Sequence, residues 1–439
     1  MRQKAKPTRL TPVKKRQTAA KLTLISALLA LCGCSSLPPG GAQAVKPDQT
    51  QQAPTQQAPR AQQPIRPAFA ARDTAAQADG RIVVLGVSGA NYVFARYGAG
   101  GQPDPSFGVA GEVRLPRTAQ TGADVLRLTV QADGKLLALG GSEVLRLLPD
   151  GQIDSAFGQN GRVAAGLPAA PQALATLPDG RVLVAGGSHE LSADPAAPAS
   201  TLVLTRLLPN GQPDSSFGTG GQVVTAIDDS ASAYSLWPLA GGGALVGGTA
   251  LSFEGGTSSR WVVARLTAGG MLDSAFGDQG VATVRQDRFA ATRPSDLAVD
   301  ASGRVLAAGY LGSGVCTAAR LLPTGVIDPA WAYENPTALR VLPDGNASGS
   351  GGTKTGISGV SLALLPGNGA ALGGCAQFAP DASGQNQIKP VLARLGMNGG
   401  PDRAYGDEGF QPVSDSAQVR TTPQGQLLVG LDPITEIEP

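Results

Sequence analysis

Along most of this chain, short apolar runs alternate with tight-turn pairs. Asp79-Gly80 precedes Ile82-Val83-Val84-Leu85, Asp133-Gly134 precedes Leu136-Leu137-Ala138-Leu139, and Asp179-Gly180 precedes Val182-Leu183-Val184. Looser copies stand at Gly242-Gly243, Ser302-Gly303, Asn368-Gly369 and Gln424-Gly425. Apolar runs of this length joined by Asp-Gly predict hairpins. A further short run lies ahead of each turn, such as Leu126 to Val130, and another follows, such as Val144 to Leu148.

A second pattern follows each hairpin. Six segments open with Arg, at Arg96, Arg146, Arg206, Arg265, Arg320 and Arg394. Five residues on stands Gly, and eight residues on stands Asp: Asp104, Asp154, Asp214, Asp273, Asp328 and Asp402. Three beyond the Asp is an aromatic: Phe107, Phe157, Phe217, Phe276, Trp331 and Tyr405. Each unit therefore predicts strands A to D, with a corner between C and D. Four strands per unit, repeated around a closed ring, predict an all-β fold, a β-propeller. Closure removes the sheet edges that a single unit would expose. The repeated residues are expected to be structural. The Asp fixes the corner through backbone N–H groups. The aromatic packs between neighbouring blades, and the Arg pairs with the Asp or with a carbonyl.

The stretch Arg206-Leu207-Leu208-Pro209-Asn210-Gly211-Gln212-Pro213-Asp214-Ser215-Ser216-Phe217-Gly218-Thr219-Gly220-Gly221 resembles the delta-60 repeat of bacterial secreted and surface proteins. That resemblance implies a propeller in an envelope or extracellular setting, and no particular activity. The fifth unit departs most, with Trp331 for Phe and Asn335 for the closing Gly. Six units are complete and a half unit follows. Seven blades are expected, the last built from C-terminal strands and a strand from residues 64–72. Six blades with a C-terminal appendage is the alternative.

The N-terminus changes the picture. Residues 1–33 hold eight basic residues and no acidic one, then an apolar run from Leu22 to Leu31. That run is about half the roughly 20 residues a bilayer-spanning helix needs, and the pattern is that of a secretory signal. Leu31-Cys32-Gly33-Cys34 resembles the lipobox of bacterial lipoproteins, which implies lipidation of Cys34. Without residues 1–33 the chain holds 27 basic and 33 acidic residues, so no nucleic-acid partner is expected. Residues 34–70 are Pro/Gln/Ala-rich and are expected to form a flexible tether. The propeller follows as 71–439. The expected location is the cell envelope, by lipid anchor, and Ser35 after Cys34 resembles lipoproteins sent to the outer membrane.

Candidate chemistry is sparse. His189 is the one histidine and has no spaced partners for a metal site. The run Leu148 to Asp154 lacks the ligand spacing of a calcium loop. No Gly-x-Ser-x-Gly elbow lies between a strand and a helix. No metal, cofactor or catalytic residue is therefore assigned. Cys316, placed in strand C of the fifth blade, and Cys375, placed after strand B of the sixth, remain as an even pair in an oxidising compartment and are expected to form a disulfide.

Length variation points to one face. The A–B turns are short and the C–D corners uniform, whereas B–C and D–A connections vary. In an antiparallel blade those two emerge on the same side. Long B–C loops are expected at Gly187–Ser200, Ala250–Arg260 and Ala376–Lys389, a long D–A connection from about Ala332 to Gly359, and a D–A loop at Arg285–Arg293. Binding-face candidates are His189, Glu190, Arg285, Arg288, Phe289 and Arg293. The expected function is a monomeric, non-catalytic binding or scaffold module for an envelope protein or polysaccharide. The alternative is an envelope enzyme of the polysaccharide lyase, hydrolase or quinoprotein type, which would need acid–base groups near the central channel. Strand A residues are mostly apolar there, with Asp296 and Arg127 as charged exceptions.

Overall fold

Blade 2 shows how the pattern becomes structure in the computed structural model. Its strands are Arg127–Val130, Leu136–Gly140, Glu143–Leu147 and Arg162–Ala164, antiparallel and in sequence order. Leu136–Gly140 is buried throughout, because a neighbouring blade covers each face of the sheet. That is why strands B and C are apolar runs rather than alternations. The A–B turn needs Gly134 at φ +83, and Gly134 N–H donates to Gln131 O at 2.9 Å. The structure describes residues 63–117, 125–287, 293–311, 315–331, 339–341, 360–380, 386–407, 409–413, 418–431 and 433–437.

Six four-stranded blades form the ring: 70–116, 127–164, 173–225, 230–287, 293–341 and 361–412. The half unit forms a three-stranded sheet, Val419–Thr421, Leu427–Val429 and Thr435–Ile437. This sheet lies between the sixth and first blades, packing Val419 and Leu427 on Ala371 and Leu392, and Leu428 and Ile434 on Val84 and Val93. Ile65 joins its edge through two backbone hydrogen bonds with Ile434, of 2.9 and 2.8 Å. Each innermost strand touches the next, and the last, Val419–Thr421, touches the first, Ala70–Ala76. The core therefore sits between blades. Leu183, Leu202, Leu204 and Phe217 of blade 3, for example, pack on Ala231, Val246 and Val262 of blade 4.

The repeated Arg, Asp and aromatic make one clamp. In blade 3, Arg206 Nε lies 2.7 Å from Asp214 Oδ2, and the guanidinium covers the Phe217 ring at 4.3 Å. Arg206 Nη1 donates to Ala268 O of blade 4 at 2.6 Å, and Gly218 N–H donates to Gly269 O at 2.9 Å. The same links join Arg96 to Pro149 O, Arg146 to Pro209 O, Arg265 to Pro323 O and Arg320 to Met397 O. Ion pairs of 2.8 Å recur at Arg96–Asp104, Arg146–Asp154, Arg265–Asp273 and Arg320–Asp328. Phe107, Phe157, Phe217 and Phe276 are fully buried. The Gly five residues after each Arg follows from this packing. Gly211 has φ +87, and a Cβ there would stand 2.6 Å from Val163 Cγ2 and 3.1 Å from Phe157 Cδ2 of the preceding blade. At blade 6 the Arg394–Asp402 pair remains at 2.9 Å, with both side chains 27% exposed.

Three features differ from the sequence reading. The expected loops Ala250–Arg260 and Ala376–Lys389 are mostly strand: Ala244–Ser252 pairs with Ser258–Leu266, and Ala370–Pro380 with Asn386–Leu395. The tip of the blade 4 hairpin, Phe253 to Thr257, is polar and Gly-rich, with Glu254, Gly255 and Gly256 exposed, and so offers no apolar alternation. The fifth corner is longer than the rest, its strand D waiting until Leu339–Val341. That strand pairs with Val315 in blade 5 and with Cys375–Gln377 in blade 6, merging the two sheets. Beside it, Cys316 and Cys375 form a disulfide with a Cα–Cα distance of 5.8 Å. Cys375 lies within strand B rather than after it, because that strand is extended.

Candidate functional site

The centre of the ring is built from one position in each innermost strand, four residues before the A–B turn begins. These residues are Asp73, Arg127, Ala173, Ser235, Asp296, Ser361 and Gln418. Most of them reach across to the next strand. Asp73 Oδ2 accepts Leu128 N–H at 2.8 Å, and Asp296 Oδ2 accepts Leu362 N–H at 3.0 Å. Ser361 Oγ accepts Val419 N–H at 2.8 Å, and Gln418 Nε2 donates to Asp73 Oδ1 at 2.7 Å. Ser235 Oγ donates to Pro294 O at 3.4 Å. Bulges at Ala71/Asp73, Ala233/Ser235 and Pro294/Asp296 aim three of these side chains sideways. Arg127 and Ala173 break the series. Ala173 has no polar atom to offer, and Arg127 donates to Leu126 O at 3.1 Å.

Charge collects at the same place. Arg420 bridges the two carboxylates, at 3.1 Å from Asp296 and 3.5 Å from Asp73. Asp73 is 1% exposed, whereas Asp296 and Arg420 keep 25% and 30% of their side-chain surface open. Burial pushes the Asp296 carboxyl above its ordinary range, opposed by Arg420 and the N–H groups of Leu362 and Leu297. Burial pulls the Arg420 guanidinium down, but Asp73 and Asp296 outweigh it and hold its pKa above the ordinary value. Burial also lowers the pKa of Arg127, which feels the charges of Asp73, Arg420, Asp296 and Arg293 in turn. Arg293 opens its strand and stacks on the Tyr234 ring at 4.2 Å.

The variable face carries the remaining candidates. His189 and Glu190 are exposed, on a B–C loop whose backbone is pinned by Ser200 Oγ donating to His189 O at 2.9 Å. Arg285 and Arg293 are strand residues rather than loop residues, paired with Trp261 and Tyr310. The strands run on to Asp287 and start again at Arg293, leaving a short connection. Arg288, Phe289, the signal residues 1–33 and Cys34 lie outside the described residues. His189 and Glu190 lie on the B–C loop of blade 3, Arg285 on strand D of blade 4 and Arg293 on strand A of blade 5. The structure brings Arg127, Asp296 and Arg293 together with Asp73 and Arg420, which sequence reasoning passed over. Counting back four residues from each turn would have exposed Asp73 as the counterpart of Asp296. Among the described residues no three His, Cys, Asp or Glu side chains converge on a metal position.

A family model described as a domain of unknown function (DUF5122) beta-propeller matches residues 77–107, 131–157, 177–217 and 245–276. Each match ends on a corner aromatic or passes through the clamp. No curated protein matches the chain. Among solved structures it is similar to virginiamycin B lyase from Staphylococcus aureus, at 10% identity over 84% of this chain and 94% of that one, TM-score 0.43. It is similar to a Hadza microbial sialidase, at 10% identity over 80% and 73% of the chains, TM-score 0.42. It is also similar to extracellular domains 1-2 of Drosophila Semaphorin 1b, at 10% identity over 86% and 87%, TM-score 0.39. Ring geometry and the four family matches together make the chain a β-propeller repeat protein.

Proposed function

We propose that this protein is an exported, lipid-anchored scaffold of the cell envelope, binding an envelope protein or polysaccharide through one face of its propeller. Connection lengths carry the reading. Every A–B connection has five residues, and C–D corners have fourteen except in blade 5. B–C connections range from two to fourteen residues, and D–A connections from four to nineteen. Lengthening a loop costs only about 0.6 kcal/mol per doubling, so the variation is cheap, and surfaces built of such loops are where recognition residues sit.

Gln63 lies against the C–D turn of blade 1, where a Cβ on Gly101 would come 2.5 Å from Gln63 O, so the first described residue stands on the uniform side of the ring, opposite the variable face. The enzyme alternative has one foothold, the carboxylates of Asp73 and Asp296 at the centre. Their oxygens are already taken by Thr74, Leu128, Leu297 and Leu362 N–H groups, Gln418 and Arg420.

The reading is tested in cells. Clickable palmitate should label the wild-type protein and not Cys34→Ser. Crosslinking with mass spectrometry should capture a partner through 187–200 or 252–258, and shortening those segments should abolish it. A labelled C34S protein, or crosslinks confined to the uniform face, would sink the proposal.

A further inference from the structure

The innermost strands hold two guanidiniums, Arg127 and Arg293, that form no ion pair among the described residues. Both described carboxylates of the cluster turn to Arg420 and to backbone N–H groups. Arg127 stands where five of the other units place a side chain that ties one strand to the next. It has no ion pair among the described residues, only its bond to the adjacent Leu126 carbonyl. Arg293 likewise has no ion pair among the described residues and is held by the Tyr234 ring. Both are the first residues of their strands, at the end where D–A connections emerge. Arg293 lies three residues outward of Asp296 on its strand and Arg127 shares the level of Asp73 and Asp296, so the two line the centre of the ring from its middle level to the variable face.

A buried or half-buried guanidinium is costly without a counter-charge, and its planar fork of donors matches the oxygens of a carboxylate or phosphate. Stacking on Tyr234 fixes the Arg293 guanidinium in advance, so little side-chain freedom is lost when a ligand arrives. Asp73 and Asp296 stand level with Arg127 and are engaged by Arg420, two residues nearer the A–B turns.

We infer that the centre of the ring, from its middle level to the variable face, is a binding site for an oxyanion group, a carboxylate or phosphate carried by the bound partner, held by Arg127 and Arg293. The inference deepens the proposed binding role and rests on it for the side of the ring concerned, but it does not depend on export or on the lipid anchor.

Isothermal titration calorimetry on the purified full chain tests it with two probes, inorganic phosphate and trigalacturonate, against neutral maltotriose. Saturable binding of at least one anion, none of maltotriose, and weakening with added salt are expected. Which anion binds separates a phosphate source from a uronic-acid source. Arg127→Gln and Arg293→Gln should each weaken binding at least tenfold, and Arg127→Lys should lose less than Arg127→Gln. Arg114→Gln, an exposed position on an outer strand paired with Glu112, should bind as wild type. If Arg127→Gln fails to fold, the Arg293→Gln result stands alone as the test. No saturable anion binding, or binding unchanged in the folded variants, overturns the inference. No anion binding by the wild type while in-cell crosslinks persist would reject this site and leave the scaffold reading standing.

Discussion

Replacing Asp214 by Asn tests whether the repeated clamp holds blades together. Burial alone would raise the Asp214 carboxyl, but the Ser216 hydroxyl and N–H and the Arg206 guanidinium hold it down to about 2. Against its usual 3.8, that depression corresponds to about 2.5 kcal/mol, at about 1.4 kcal/mol per tenfold change in the proton equilibrium. Because the folded pKa lies below the unfolded one, the stabilisation is complete above pH 3.8 and is lost as pH falls through about 2. The variant also leaves Arg206, with a side chain 1% exposed, without its counter-charge. Together these predict a loss of about 3 kcal/mol at neutral pH. Urea unfolding of both proteins between pH 7 and pH 2 measures it, and contributions from all other groups cancel in the difference. The gap should be widest near neutrality and shrink below pH 4. Asp402→Asn provides an internal comparison: its pair is 27% exposed on both sides, and about 1 kcal/mol is expected. A difference independent of pH, or D402N costing as much as D214N, would refute the reasoning.

Three further outcomes follow from the same packing. Gly211→Ala combines φ +87 with an overlap on Val163, so a loss of at least about 2 kcal/mol in urea unfolding is expected. Cys316→Ala with Cys375→Ala opens a bridge across 59 residues, so a stability loss of about 4 kcal/mol in the chain-entropy model is expected, read as a thermal midpoint lowered to that of the reduced wild type. Deleting residues 1–69 removes Ile65 and Phe69 from the seam with Leu428 and Ile434, so limited proteolysis should cut within 418–437 before any other segment.

The strands and the clamp were legible in the sequence because each is written locally. Arg206, Gly211, Asp214 and Phe217 fall within twelve residues, and the same spacing recurs in every complete unit. The ring count was legible up to its seam, where Ile65 supplies a single pairing residue and no apolar run. The long hairpins of blades 4 and 6 were read as loops because Phe253 to Ser258 offers turn residues and no periodicity. The centre was the least legible part. Asp296 and Arg127 stood out as charges in apolar strands, but Asp73 and Arg420 lie in the first and last units of the ring, at opposite ends of the sequence. Their meeting across 347 residues of chain depends on ring closure, which no local pattern records.

The most direct measurement of the scaffold account is site-specific photo-crosslinking in intact cells, from Glu190 on the variable face and from Asp150 on a C–D turn, both exposed. The account predicts a discrete crosslinked partner from Glu190 and none from Asp150. A discrete partner from Asp150 alone, or identical non-specific adducts from both, would contradict it.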